Sequence, residues 1–306
     1  MANLAIPPPD IMVHRRPARV RLAPSGTIGQ MNADPARPAG HDGMGTQGRA
    51  ADPGDVLAPG PAFVPRPEAG RVFTARRGIR STDATSRGRL RLDALARYLQ
   101  DVAEDDVADA GLQDPQYWLL RRAAVSIRSY PRLGEQVTLS TFCTATGPRW
   151  AERTTTLATA DGDVIQTVAL WVAVSRADGR PAALTGSFMK EYGPSTAGRT
   201  VSARLYLPGP PPEAAASPWP VRATDFDTAG HVNNSVHWAA AEDVLAPLGW
   251  RPSWAEIEYP RPVLPGCTPA LAASHDDGQA WAWLTDGERS LASIRLDRDP
   301  PPMPSM

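Results

Sequence analysis

The spacing of apolar residues in the middle of the chain switches between a helical period and a strand period. Leu92, Leu95, Leu99, Val102 and Val107 recur at near-helical spacing with polar residues between them. This spacing predicts one long helix that ends near residue 111. Apolar runs on either side predict strands. One short strand precedes the helix at 71–76, and four follow it at 118–129, 136–146, 150–160 and 164–174.

The second half of the chain repeats this order of elements with different residues. The pattern predicts a strand at 219–223, a helix at 234–245, and four strands at 254–259, 269–274, 279–285 and 289–296. The helix is rich in alanine and apolar on most sides, which is typical of a helix buried against a sheet. Asp-Gly pairs at 161–162, 277–278 and 286–287 separate successive strands. Such pairs favour tight hairpins because the central positions need positive φ.

Because antiparallel hairpins follow each helix, the pattern favours an α+β fold over a parallel βαβ fold. The sequence predicts two antiparallel sheets, each wrapping a central helix. We expect an N-terminal repeat at 70–206, a proline-rich linker at 207–218 and a C-terminal repeat at 219–306. Since each sheet alone would expose an edge, we expect the repeats to pair, in a monomer of two repeats or a homodimer of such chains.

Residues 1–69 differ in composition from the rest of the chain. They hold 12 of the 33 prolines, eight glycines and a single aromatic residue, Phe63, which predicts a disordered tail. The formal net charge of −1 gives no electrostatic basis for nucleic-acid binding, and no run of about 18 apolar residues is present to span a membrane. Only two cysteines occur, Cys143 and Cys267. They offer neither a disulfide framework nor a cysteine zinc site, so we expect a cytoplasmic protein.

Residues 225–234 bring an acid, a histidine and two amides into one predicted turn before the second helix. Gly230 lets the chain bend, and a helix N-terminus presents unpaired N–H groups to an oxygen that gains negative charge. Asp227 can serve as a general base or nucleophile on a thioester, and His231 can relay a proton. The same turn also suits a structural role, since Asp227 and Asn234 can cap the helix.

The segment Arg-Ala-Thr-Asp-Phe-Asp-Thr-Ala-Gly-His-Val-Asn-Asn-Ser-Val-His-Trp at 222–238 resembles the second repeat of acyl-ACP thioesterases. These are double hot-dog proteins that hydrolyse fatty-acyl thioesters. Residues 88–103 and 147–153 resemble the first repeat of the bacterial members, and the resemblance covers roughly residues 70–298. It implies a tandem double hot-dog fold, an acyl-carrier protein or CoA thioester as substrate, and no metal or organic cofactor.

The resemblance places catalytic roles on Asp227 and His231 and also marks two departures. The asparagine that the plant enzymes hold between these two residues falls on Ala229. A further acid and a cysteine of those enzymes fall near Pro262 and Val263. If the chain hydrolyses thioesters, we therefore expect Asp227 and the amides at the helix end to do most of the work.

The candidate site combines side chains with backbone donors. Asp227, His231 and Asn233 are the candidate catalytic residues, and the N–H groups of Gly230 and Val232 are the candidate oxyanion donors. The expected substrate contacts are Asn234, Tyr98 and Trp150, and further candidates for the wall of an acyl pocket are Leu99, Trp118, Leu119 and Trp171.

Further polar residues lie outside this turn. His237 is expected in the core, and Glu242 is expected to be a solvated or paired helix acid. Gln100, Asp101 and Glu104 form a polar face on the first helix that offers an alternative site. The candidates for contact with an acidic acyl-carrier protein are Arg121, Arg122, Arg149 and Arg153.

Two other functions are compatible with the sequence. One is a non-catalytic acyl-thioester-binding protein, which Ala229 and Pro262 favour because they replace polar groups. The other is a hot-dog hydratase or dehydratase, which needs an acid and a histidine beside the α and β carbons of an acyl thioester. The chain contains neither G-x-S-x-G nor H-E-x-x-H, which excludes two common classes of hydrolase.

Overall fold

The computed structural model describes residues 62–112 and 116–299, in which ten strands form one antiparallel sheet. The predicted disorder of residues 1–69 falls largely outside the described residues. The elements of the first repeat are β1 (Phe73–Gly78), α1 (Leu92–Asp109), β2 (Gln116–Ile127), β3 (Gln136–Thr146), β4 (Trp150–Thr159) and β5 (Gly162–Ser175).

A short helix, α2 (Gly186–Tyr192), follows the first repeat. The elements of the second repeat are β6 (Ala216–Pro218), α3 (Asn234–Leu245), β7 (Trp254–Glu258), β8 (Ala270–His275), β9 (Gln279–Asp286) and β10 (Arg289–Asp297). Single turns of 3-10 helix lie at Ser81–Asp83, Gly193–Thr196 and Ala223–Asp225. Strand, helix and four strands therefore occur twice in the same order.

The strand order is β1-β3-β4-β5-β2-β7-β10-β9-β8-β6, which reads as the same arrangement from either edge. This order confirms the predicted α+β hot-dog class. The two predicted sheets are joined into one, because β2 and β7 pair antiparallel and match Arg122 with Glu258 and Ser126 with Trp254. Pairing at this seam satisfies the backbone groups of two strands that would otherwise be edges.

Both long helices contact each other and share one apolar core with the sheet. On α1 the apolar face is buried, including Leu92, Leu95 and Val102, which agrees with the helical period of the sequence. On α3, Ala240 and Ala241 are fully buried. Because α1 packs on α3, side chains of each helix lie close to the first turn of the other helix.

The structure differs from the sequence prediction at three places. Residues 219–223 are not a strand; the pairing strand lies just before them at Ala216–Pro218. Helix α2 was not predicted, because seven residues are too few to display a helical period. At the first hairpin, Thr159 pairs with Gly162, so Ala160 and Asp161 form the turn and only Gly162 has positive φ.

The segment 201–208 crosses the sheet and is held there by side chains from both repeats. The Trp150 indole of β4 donates to Val201 O at 2.8 Å, and the Trp283 indole of β9 donates to Pro208 O at 2.9 Å. Between them, the Arg122 guanidinium donates to the carbonyls of Ser202 and Arg204 at 3.0 and 2.9 Å. Arg122 is therefore a buried structural residue and not the carrier-protein contact that the sequence suggested.

Glu258 of β7 accepts two backbone N–H groups of this segment, from Tyr206 at 2.8 Å and from Leu207 at 3.0 Å. The Tyr206 hydroxyl also donates to Glu256. Burial raises the pKa of Glu258 to about 7 and that of Glu256 to about 6. Both carboxyl groups are therefore held more readily in the protonated form in the folded chain than in the unfolded chain.

We expect Glu258 to make stability fall as pH rises. Its contribution is fully present below its usual pKa of 4.5 and is lost as pH rises through its folded pKa of about 7. Urea unfolding at pH 5 and pH 7.5 measures this change against Glu258→Gln, which cannot titrate. The wild-type advantage over the variant should shrink by roughly 1–3 kcal/mol across that range. A constant difference at both pH values would show that Glu258 does not titrate in this window.

Candidate active site

The candidate turn is shaped by its own backbone. The Gly230 N–H donates to Asp227 O at 3.0 Å, and the Asp227 N–H donates to His231 O at 3.0 Å. Gly230 has a φ of 81°, which glycine adopts without the steric cost of a side chain. The Asn233 N–H then donates to Asp225 O at 2.8 Å and brings the chain to the start of α3.

The Asp227 carboxylate lies at the centre of the turn. Its Oδ1 accepts the Ala229 N–H at 2.9 Å and lies 3.6 Å from His231 Nδ1. Its Oδ2 lies 3.4 Å from Asn233 Nδ2. The side chains of Asp227 and His231 are 24% and 18% exposed. The predicted acid, histidine and amide are thus brought together and remain accessible from outside the core.

The open backbone donors are different from the predicted ones. The Gly230 N–H is bonded to Asp227 O, and the Val232 N–H is bonded to Val263 O at 2.9 Å. The first bond lies within the turn and the second is to a residue outside it, so neither N–H is available to an oxyanion in this structure. Within the described part of the chain, no acceptor takes the N–H of Asn234, the first residue of α3. The Asn233 side chain caps the next N–H, that of Ser235, at 2.9 Å.

His237 lies on the first turns of α3 and is 2% exposed. Its Nδ1 lies 3.3 Å from Asn233 O, and its ring packs edge-on against Tyr259 with centroids 5.2 Å apart. Burial lowers the pKa of His237 to about 4. The ring is therefore neutral near pH 7 and buried, as expected, but its Nε2 has no hydrogen-bond partner among the described residues.

A cavity of about 1530 Å³ opens beside the turn. Asp227, His231, Asn233 and Asn234 line it, and so does the predicted substrate contact Trp150. The predicted wall residues that also line it are Trp118, Leu119 and Trp171. Cys143 lines it as well, but burial raises the pKa of its thiol to about 11, so it stays protonated near neutral pH.

Two predicted contacts are held by other groups of the fold. Tyr98 is buried, and its hydroxyl donates to Asp83 Oδ2 at 2.8 Å and lies 3.2 Å from Gly78 O, away from the cavity. Arg153 lines the cavity but is bound to the carboxylate of Asp106. Tyr98 is therefore a core residue and not a substrate contact, and Arg153 is not free to meet a carrier protein. Two further arginines were predicted to contact a carrier protein. Arg149 is exposed at the cavity, and Arg121 donates to two backbone carbonyls.

The first repeat contains a turn with the same backbone as the candidate turn. Gly88 has positive φ and donates to Thr85 O, as Gly230 donates to Asp227 O. The Leu90 N–H donates to Pro131 O, as the Val232 N–H donates to Val263 O. The isolated bridges Ala84 to Leu90 and Phe226 to Val232 also correspond. The two repeats therefore differ at these turns in side chains and not in backbone.

The two turns carry different side chains at equivalent positions. Thr85 stands in the place of Asp227, Arg89 in the place of His231, and Leu92 in the place of Asn234. At the turn of the first repeat, Glu242 from α3 of the second repeat accepts the Leu92 N–H at 2.7 Å. It also pairs with both terminal nitrogens of Arg89. The acid, the histidine and an open helix N-terminus occur together at the second turn.

Among the described residues, no three histidine, cysteine or acidic side chains are grouped to hold a metal ion. No helix of the described chain is long and apolar enough to cross a bilayer.

Two repeats of one helix and five strands, joined at β2 and β7 with one polar turn opening to a cavity, define a double hot-dog protein. The family model of the acyl-ACP thioesterase N-terminal domain matches residues 70–192. The uncharacterized protein Rv2001 of Mycobacterium tuberculosis is 31% identical over 239 residues, which cover 76% of this chain and 96% of that protein. The chain belongs to the acyl-ACP thioesterase family.

Solved structures share this fold. The acyl-ACP thioesterase from Bacteroides thetaiotaomicron matches with a TM-score of 0.64 at 16% identity, over 74% of this chain and 97% of that one. The 12:0-ACP thioesterase from Umbellularia californica matches with a TM-score of 0.64 at 19% identity, over 75% of this chain and 98% of that one. At these identities the likeness extends to the fold alone.

Proposed function

We propose that this protein is a thioesterase that hydrolyses a fatty acyl thioester, carried by acyl-carrier protein or by CoA, to the free acid and the thiol. The observation that carries the proposal is the contrast between the two helix N-termini. In the first repeat a carboxylate oxygen of Glu242 occupies the Leu92 N–H. In the second repeat the corresponding residue, Asn234, lines the cavity beside Asp227, and its N–H has no protein acceptor among the described residues.

The bond from the Leu92 N–H to Glu242 Oε1 shows how an anionic oxygen is held at this kind of helix N-terminus. A helix N-terminus carries partial positive charge and stabilises an anionic oxygen held against its N–H groups. The thioester carbonyl oxygen at Asn234 would occupy the position that Glu242 Oε1 occupies at Leu92. As this oxygen gains charge in the transition state, the Asn234 donor becomes more effective, which lowers the barrier.

Asp227 supplies the second requirement, an activated nucleophile. Its carboxylate removes a proton from a water molecule, the water oxygen bonds to the carbonyl carbon, and the tetrahedral species then breaks its C–S bond. The thiolate leaves with the electron pair and is protonated by solvent or by the proton held at Asp227. The Ala229 N–H and Asn233 Nδ2, at 2.9 and 3.4 Å, orient the two carboxylate oxygens.

His231 orients the site on the side of Asp227 Oδ1, 3.6 Å away. A histidine there can hold the attacking water or pass on the proton that Asp227 receives. Because Ala229 and Pro262 replace polar groups of the plant enzymes, this site performs the reaction with fewer side chains. The same replacements support the competing function, acyl-thioester binding without hydrolysis.

The proposal is tested with the purified chain and matched acyl-ACP and acyl-CoA substrates of several acyl lengths. We expect thiol and free fatty acid to appear in equal amounts, with one carrier and a limited range of acyl lengths preferred. A chromogenic thiol reagent follows the first product and mass spectrometry the second. Saturable binding of acyl thioester without thiol release would replace hydrolysis with the binding function.

A further inference from the structure

The N-terminus of α1 is completed by a residue from the other repeat. Glu242, on α3, accepts the Leu92 N–H at 2.7 Å and forms a two-pronged ion pair with Arg89 at 2.9 and 2.6 Å. Both side chains of the pair are largely buried, at 13% and 14% exposure. The pair therefore closes the first turn with charges supplied by α1's own repeat and by α3.

The residue of α1 that corresponds to Glu242 is Gln100. Gln100 follows Leu92 on α1 at the same distance along the helix at which Glu242 follows Asn234 on α3. Because the two helices pack against each other in a repeat-symmetric fold, Gln100 should face the start of α3 as Glu242 faces the start of α1.

The cavities give an independent indication of the same placement. Gln100 lines the large cavity together with His231 and Asn234. It also lines a neighbouring cavity of about 460 Å³ together with Asp227 and Asn233. Within the described residues, no hydrogen bond holds the Gln100 side chain. Its amide is therefore available to a bound molecule at the candidate turn.

The chemical difference between the two positions is a difference of charge. A glutamate closes the first turn, because its anionic oxygen permanently occupies the N–H of Leu92. A glutamine brings no negative charge to the N–H of Asn234, and its NH₂ group is itself a donor. A neutral donor beside an open N–H suits an oxygen that becomes negative during a reaction.

We propose that Gln100 of the first repeat is a substrate-contact residue of the site in the second repeat, where its side-chain amide donates to the thioester carbonyl oxygen together with the Asn234 N–H. This inference rests on the proposed thioesterase function. It makes the site a joint product of both repeats. Hydrolysis then requires α1 to be packed on α3.

Gln100→Met tests the donor, because methionine keeps the length of the side chain and removes its N–H groups. We expect kcat for thioester hydrolysis to fall by roughly 10²–10³-fold, the usual effect of losing one oxyanion donor. KM should rise by a smaller factor, since the donor also contacts the ground-state carbonyl oxygen but acts most strongly in the transition state. Gln136→Met makes the same chemical change on the exposed start of β3 and should leave both constants unchanged.

Gln100→Glu tests the correspondence with Glu242. The new carboxylate should accept the Asn234 N–H and close the second turn, so that hydrolysis is lost while the thermal midpoint is kept or raised. Adding His231→Arg should rebuild the ion pair of the first turn and raise the midpoint further. A Gln100→Glu variant that remains as active as wild type would contradict the placement of Gln100.

A ketone analogue, in which a CH₂ group replaces the thioester sulfur, separates this inference from the proposed function. It retains the carbonyl oxygen but cannot release thiol. Gln100-dependent binding of the ketone without thioester hydrolysis by wild type would support the contact and overturn the thioesterase function. Hydrolysis that is unaffected by Gln100→Met would overturn the contact alone. If wild type neither hydrolyses the thioester nor binds the ketone, both are overturned.

Discussion

Asp227→Asn is expected to slow thiol release from an acyl thioester by roughly 10²–10⁴-fold, the range attributed to a lost general base. The amide oxygen of asparagine can still accept the Ala229 N–H, which Asp227 Oδ1 accepts at 2.9 Å. The turn should therefore keep its shape. The neutral amide neither takes a proton from water nor attacks a carbonyl carbon, so the loss should appear in kcat.

The first repeat supplies a matched control for this variant. Thr85 occupies the position of Asp227 in a turn with the same backbone, so Thr85→Val alters an equivalent place without touching the candidate carboxylate. We expect Thr85→Val to retain the wild-type rate. Both variants should show wild-type circular dichroism. If Asp227→Asn hydrolyses the substrate at the wild-type rate, the chemistry is not carried by this turn.

The parts of the fold that sequence predicts well are those with local causes. The bounds of α3 and β3 agree with the predicted 234–245 and 136–146, because side-chain period and end signals lie within each segment. Asn233 provides such a signal, since its side chain caps the Ser235 N–H. A similar signal precedes α2, where Thr185 accepts the Phe188 N–H at 3.1 Å, but the helix is too short for its period to be recognised.

The parts that sequence did not predict depend on distant residues. The Val232 N–H is bonded because Val263 O lies against it, and Val263 is far along the chain. Glu242 closes the first turn only because α1 and α3 pack together. The predicted acid, histidine and amide come from one local segment and therefore meet as expected. The choice of oxyanion donor could not be made without the tertiary structure.

The buried ion pairs of Asp106, near the end of α1, were also not predicted from the sequence. Asp106 has 1% of its side chain exposed and binds two guanidinium groups, Arg71 at 2.6 Å and Arg153. Arg153 also lies over the Tyr192 ring, 5.2 Å from its centroid. In the sequence, Arg153 is an arginine of a predicted strand, and nothing near it in the chain indicates that it is buried. In the fold it is a buried cation, and Asp106 is its carboxylate partner among the described residues.

Asp106→Asn is accordingly expected to lower the free energy of unfolding by about 3–5 kcal/mol. Asparagine has nearly the shape of aspartate, so no cavity forms and the loss is electrostatic. It leaves the Arg153 guanidinium buried without its counter-charge, and a buried unpaired charge costs more than the ion pair contributed. Urea unfolding near pH 7, followed by tryptophan fluorescence and circular dichroism together, measures the change.

The preceding residue on α1, Asp105, provides a control that differs from Asp106 in burial. Asp105 is 48% exposed and pairs with Arg77 at the surface, so Asp105→Asn should cost less than about 1 kcal/mol and less still at high salt. The loss in Asp106→Asn should persist at high salt, because buried charges are poorly screened. Equal small losses in the two variants would mean that the charge of Arg153 is balanced by solvent, and that α1 is not held to the sheet by this ion pair.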